Sequence, residues 1–230
     1  LCAEVRERTG VALCADELVI GIARRFAGYK RNDLVLSDLD RLVAIAESGP
    51  VQIVFAGKAH PKDGEAKDII KKVAALVGDH PNGLRVAFLE DYGMALGRLV
   101  CSGSDVWLNN PVPPNEASGT SGMKAALNGV PSLSTLDGWW AEGGIDGVTG
   151  WTIGAEHGTD AASGTAGAVQ LYSALEGLVV PTYYKDHDAL VTMGRHAIAL
   201  NGSFFSAHRM VDEYRRRMYV PRLADARATG

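Results

Sequence analysis

Residues 116–129 read EASGTSGMKAALNG: a carboxylate, a run of small residues, then one lysine at the start of a helical pattern that closes on glycine. A cation in the first turn of a helix faces the positive end of the macrodipole, which is mildly unfavourable. Gly119, Ser121 and Gly122 let backbone N–H groups approach an anion closely, and a helix behind them would point its dipole at that anion. Three readings of Lys124 fit: an exposed surface lysine, a phosphate ligand, or an amine of depressed basicity consumed as a Schiff base. The last removes the charge conflict. The run is not a Walker loop, and no G-x-G-x-x-G follows a strand, so neither an ATPase nor a dinucleotide enzyme is supported.

A second cluster precedes it. Arg24, Arg25, Lys30 and Arg31 in RRFAGYKR place four cations within eight residues. They form either a solvated basic turn or an oxyanion site in which arginine clamps bidentately and lysine adds a point charge. In FAGKAHP, Lys58 and His60 either reach the same crevice or lie on the surface of a strand-to-helix turn. Trp139 and Trp140 in LDGWWAEGG read as a structural pair, one buried and one partly exposed, rather than a sugar platform. Asp137 and Glu142 are loop acids without an assigned role. Cys2, Cys14 and Cys101 are odd in number, lack metal-ligand spacing and read as reduced structural thiols of a cytoplasmic protein. The six histidines are scattered, and no metal site is expected.

These residues need a frame. Apolar runs predict strands at 18–23, 51–59, 84–89, 105–109 and 131–136, the second losing its apolar character at Gly57. Between them, helical periodicity predicts helices over 34–46, 63–77 and around Met94 to Leu99, and over the run that carries Lys124. Residues 137–163 read as an irregular loop, and 165–178, 188–200 and 206–219 as helices. Alternating strands and helices imply an α/β, doubly wound, mostly parallel sheet. In such a sheet the ligand crevice lies at the carboxyl ends of the strands, which is where the loops carry these polar clusters.

The 230 residues carry a net charge of -4, and 47% of them are hydrophobic. Those values describe one globular domain with ample core and no sign of a nucleic-acid or membrane partner. No stretch approaches the roughly 18–20 apolar residues of a membrane span. Leu1 is no initiator methionine and no signal pattern follows it, so the chain is expected to be a piece of a longer one.

Taken together, RRFAGYKR, FAGKAHP, LEDYGMALGRLV, SDVWLNNP and EASGTSGMKAALNGVPSLSTLDGWW resemble the α-glucan phosphorylases of glycogen, starch and maltodextrin, in their bacterial form. The likeness runs from the first residues to RMVDEYRRRMYVP. It implies a two-lobed glycosyltransferase-B type fold, of which residues 1–230 would be the C-terminal Rossmann-like, cofactor- and phosphate-binding lobe. On that reading the N-terminal lobe would lie outside this chain.

By the same resemblance, Lys124 would carry pyridoxal phosphate as an imine, with the cofactor's phosphate relaying a proton. Arg24 and Lys30 would neutralise that phosphate, joined by Thr120, Ser121 and Gly122, and Tyr92 would lie beside the cofactor. Arg25 would hold substrate phosphate, with Lys30 bridging the two anions. Glu116, Ala117, Ser118 and Gly119 would bond the hydroxyls of the transferred glucose. The implied reaction is phosphorolysis of terminal α-1,4-linked glucose from a glucan to glucose 1-phosphate, with retained configuration, in a cytoplasmic enzyme that is a homodimer at full length. The isolated lobe is expected to be inactive. Two other readings stand beside it: a nucleotide-sugar-dependent transferase like glycogen synthase, which needs no amine at Lys124, and a non-catalytic glucan-binding or assembly fragment.

Overall fold

The computed structural model describes residues 1–154 and 164–220. Helix α1 (Cys2–Thr9) leads into strand β1 (Leu18–Ala23), whose six residues are all buried. Then come α2 (Leu39–Ala46), β2 (Val51–Ala56), α3 (Gly64–Ala74), the short β3 (Gly78–Asp79), β4 (Arg85–Leu89) and α4 (Met94–Gly103). Strand β5 (Val106–Asn109), α5 (Thr120–Leu127), β6 (Ser132–Thr135), α6 (Trp140–Gly143) and β7 (Gly150–Ile153) follow. Helices α7 (Gly164–Ala174), α8 (Val180–Lys185), α9 (His187–His196) and α10 (Ala207–Tyr214) lie in the C-terminal part, extended by π-helical turns at 175–179, 197–202 and 215–219.

The strands form one sheet in the order β3-β4-β2-β1-β5-β6-β7. All neighbours are parallel except β3, which pairs antiparallel with β4 at the edge. The parallel strands thus run third-second-first-fourth-fifth-sixth in chain order, the doubly wound arrangement. Alternate residues of β1 feed two cores. Leu18, Ile20 and Ile22 face a layer built on α2, α3 and α7–α9, whereas Val19 and Ala23 share a core with α1, α4 and α5. A buried and a half-buried tyrosine tie the C-terminal helices to the segments before α2 and β2. The Tyr172 hydroxyl donates to Val35 O at 3.0 Å and accepts from Asp38 N, and the Tyr184 hydroxyl donates to Pro50 O at 2.6 Å.

Four expectations need correction. The predicted helix over 34–46 is split: residues 34–36 form a 3₁₀ turn, and Asp38 caps α2 by accepting from Arg41 N at 3.0 Å. The segment 137–163 is not wholly irregular, because α6 and β7 lie within it, while residues 155–163 fall outside the described region. β7 has four residues and begins at Gly150, too short a run for an apolar pattern to stand out. The first C-terminal helical stretch continues to Lys185 rather than stopping at 178, and ends where Asp186 caps α9. The second strand stops at Ala56, just before the glycine where its apolar run breaks.

Candidate functional site

In a sheet of this order the connections leave β1 and β5 towards opposite sides, and the crevice opens between their carboxyl ends. Arg24 follows β1 directly, and its guanidinium is buried there with 6% exposure. One terminal nitrogen donates to the side-chain oxygen of Asn109, the last residue of β5, and the other to Asn110 Oδ1 and to Lys30 O. The Arg24 Nε has no partner among the described residues. Burial lowers the Arg24 pKa to about 10, against the opposing pull of Glu116, so the group stays cationic at neutral pH. Arg31 continues the stitching, donating to Asn110 O at 2.8 Å and to Pro111 O at 3.1 Å, while Asn110 Nδ2 donates to Arg31 O.

Two predicted site residues meet here across 86 positions of sequence. Lys30 Nζ forms an ion pair with Glu116 Oε2, with side-chain exposures of only 12% and 9%. Arg25, the next residue after Arg24, is exposed. Long-range hydrogen bonds hold this arrangement. The 24–31 turn is held to the β5 exit by the Arg24 and Arg31 bonds, and Val112 N donates to Tyr29 O at 2.7 Å. Lys58 and His60 are exposed, and His60 Nδ1 accepts from Lys62 N within its own turn, which is the surface reading of that motif.

Residues 117–119 lead into α5, whose N-cap is Gly119 in the left-handed region (φ 84) with no capping side chain. Gly122 N bonds Gly119 O, whereas the Thr120 and Ser121 amides find no acceptor among the described residues. Two orphan donors and a helix dipole make an anion cradle. One turn on, Lys124 is exposed and lines a cavity of about 500 Å³ together with Tyr92, Gly97, Cys101, Ser121 and Asn128. Helix α4 supplies one wall and α5 the other, so Ser121 and Lys124 place the cradle and the amine on one helix.

Burial pushes the Cys101 thiol up to about 11, with Lys124 opposing the shift, and burial raises Tyr92 as well. A thiol whose folded value lies above its ordinary 9.0 contributes stability that is complete below pH 9 and lost as pH rises towards 11. Unfolding free energy is therefore expected to fall over that window, by on the order of 1–2 kcal/mol from this group. Urea titrations between those limits check it. Cys101→Ser should flatten the part of the fall nearest pH 9, and an unchanged slope would contradict the assignment.

A larger cavity, about 980 Å³, lies between the 28–37 turn and α3. Of the residues predicted for chemistry it holds only Arg31, and its Lys72 and Asp33 approach each other at 3.7 Å. Trp139 and Trp140 are both buried, the second through an indole N–H bond to Thr152 Oγ1, which bears out their structural role and removes the partial exposure expected of one. Among the described residues no group of three or more His, Cys, Asp or Glu side chains could share a metal ion, and no helix is long and apolar enough to cross a membrane. Sequence reasoning passed over Asn109 and Asn110, and read Cys101 as a structural thiol without placing it at the cavity beside Lys124. Only the polar pair at the end of an apolar strand signalled the asparagines.

The family profile described as carbohydrate phosphorylase matches residues 1–143. The chain is 44% identical over 217 residues to a glycogen phosphorylase of Aquifex aeolicus, covering 91% of this chain and 31% of that protein. It is 43% identical to a maltodextrin phosphorylase of Thermococcus litoralis, covering 97% of this chain and 28% of that one. A glycogen phosphorylase of Mycobacterium tuberculosis is 40% identical over 92% of this chain and 26% of its own length. The chain thus spans about a third or less of the length of these relatives.

Proposed function

Since the chain belongs to the carbohydrate phosphorylase family, we propose that it is the cofactor- and phosphate-holding lobe of an α-glucan phosphorylase with a two-lobed glycosyltransferase-B type fold. The observation that carries this reading is the placement of Lys124 one helical turn behind an open amide cradle, on the wall of a cavity that also holds Tyr92. Pyridoxal phosphate fits that donor set. Lys124 would meet its aldehyde with an exposed primary amine, Tyr92 and Cys101 would flank its ring, and the unpaired Thr120 and Ser121 amides at the Gly122 turn would hold its phosphate, with Lys30 and Arg24 as the cations assigned to it. When bound, it supplies a phosphate able to exchange a proton with the substrate phosphate.

The chain's own residues do the rest electrostatically. Two phosphates in contact repel strongly in a partly desolvated crevice, so cations must sit beside both. Arg24 is buried and fixed, a permanent positive charge below the crevice. Arg25 is exposed and without a described partner, free to clamp the oxygens of inorganic phosphate or glucose 1-phosphate bidentately. Lys30 reaches Glu116 and so stands between the anion site and the sugar loop. Glu116, with the Ala117, Ser118 and Gly119 backbone, would orient the terminal glucose so that the phosphate-borne proton meets its glycosidic oxygen, a general-acid geometry. No glycosidase-type carboxylate pair is required. The nucleotide-sugar alternative lacks support of this kind, because the matched family and the named relatives are phosphorylases.

The relatives' additional length would supply the facing lobe, the glucan channel and a dimer contact. Residues 1–230 alone, given pyridoxal phosphate, maltodextrin and phosphate, are therefore expected to form no glucose 1-phosphate, whereas the full-length protein should. Turnover by the isolated lobe would contradict the division of labour proposed here.

A further inference from the structure

The carboxylate of Asp137 has only 7% exposure, and both its oxygens are committed. Oδ2 accepts the Glu116 amide at 2.9 Å and Oδ1 accepts the Gly138 amide at 2.9 Å. Asp137 is itself anchored to the end of β6, since its amide donates to Thr135 O at 2.9 Å. The next two residues grip the same loop. Trp139 N donates to Ser118 O at 2.7 Å, and Gly138 (φ 56) runs so close that a Cβ there would lie 2.7 Å from that oxygen. The Trp139 indole fills the space behind α5, where a Cβ on Gly122 would come within 2.7 Å of its Nε1. Trp140 and Phe205 hold that ring edge-on, at centroid distances of 5.4 and 5.3 Å.

We propose that Asp137 is the positioning residue of the sugar loop: its carboxylate sets the backbone of Glu116, and Trp139 backs the loop from Ser118 to Gly122. This assignment rests on the reading of Glu116–Gly119 as glucose ligands. Two converging N–H donors explain why the position carries a carboxylate. An amide would offer one oxygen to two donors and turn an NH₂ against the other. Because Asp137 touches neither sugar nor cofactor in this arrangement, its effect passes through the geometry of Glu116. The paired Lys30 would follow any displacement of that carboxylate.

The test is Asp137→Asn in the full-length protein, with three readouts. Hydrogen exchange over 116–119 is expected to accelerate about tenfold, since one anchoring bond to a charged group is lost, while β1 and β5 exchange as in the parent. The glucan kcat/KM should fall on the order of 100-fold, mostly in kcat, because a misplaced sugar is bound but badly aligned. Pyridoxal phosphate bound at Lys124 should stay at the parent's level. If exchange and kcat/KM both stay within about threefold of an active parent, the positioning role is wrong and the phosphorylase reading stands. Acceleration throughout the sheet together with loss of cofactor would show general support of the fold and overturn the proposal equally. An unsubstituted protein that forms no glucose 1-phosphate would remove the reading and this inference with it. Should Asp137→Asn fail to fold, Asp137→Glu keeps the charge but displaces both acceptor oxygens by a methylene, and the same local signature is expected from it, with the same outcomes decisive.

Discussion

Replacing Lys124 by arginine in the full-length protein is expected to lower phosphorolysis by roughly 10³-fold or more, with the fold intact. Arginine keeps the positive charge and a similar reach, but its guanidinium is always protonated and offers no nucleophilic amine. The substitution therefore separates charge from covalent attachment. Were Lys124 only a phosphate ligand, arginine would serve nearly as well. The side chain is exposed on the wall of the cavity shared by Tyr92 and Cys101, so the thermal midpoint should stay close to that of the cofactor-free parent. Steady-state assays with maltodextrin and phosphate, beside a thermal melt, decide it. An Lys124→Arg protein within tenfold of the parent would contradict the assignment.

Glu116→Gln is expected to move two affinities in opposite directions. In this structure Lys30 spends its charge on Glu116, and the pair is almost out of solvent. An oxyanion that recruits Lys30 must compete with that carboxylate, and a sugar that needs Glu116 must compete with Lys30. Removing the negative charge frees the lysine, so phosphate should bind several-fold more tightly. The sugar loses a charged acceptor, commonly worth about 1.5–3 kcal/mol, so glucan kcat/KM should fall about 10- to 150-fold. Without phosphate, the variant leaves a nearly buried ammonium unpaired and should melt below the parent. Added phosphate should then raise its midpoint by more than it raises the parent's. A substitution that merely loosened the fold would weaken both ligands together, and that result would reject the exchange of partners proposed for Lys30.

What could be read from the sequence divides along physical lines. Strand β1 was legible residue for residue because a parallel strand buried on both faces is a bare apolar run. The rule that ligands gather at strand carboxyl ends then singled out the loops after β1 and β5, and the structure brings Lys30 and Glu116 of those loops into contact. Partner choice was not legible. Arg24 reads as a free cation, yet its terminal nitrogens are taken by Asn109, Asn110 and the Lys30 carbonyl, the asparagines lying some 85 residues on. Only the strand order, with β5 beside β1, makes those neighbours. β7 was lost for a different reason. It starts at a glycine whose hypothetical Cβ would sit 2.1 Å from Ser132 O, a position where close strand approach excludes the side chain that would have marked it as a strand. Asp137 looked like an ordinary loop acid because its role is to accept amides, which leaves no trace in spacing.

The most direct measurement is to reduce the full-length protein with borohydride, digest it and map the pyridoxyl group. The account predicts a single labelled peptide carrying the group on Lys124, with loss of the label in Lys124→Arg. A protein that forms glucose 1-phosphate from glucan without any such label, or with the label on another lysine, would contradict it.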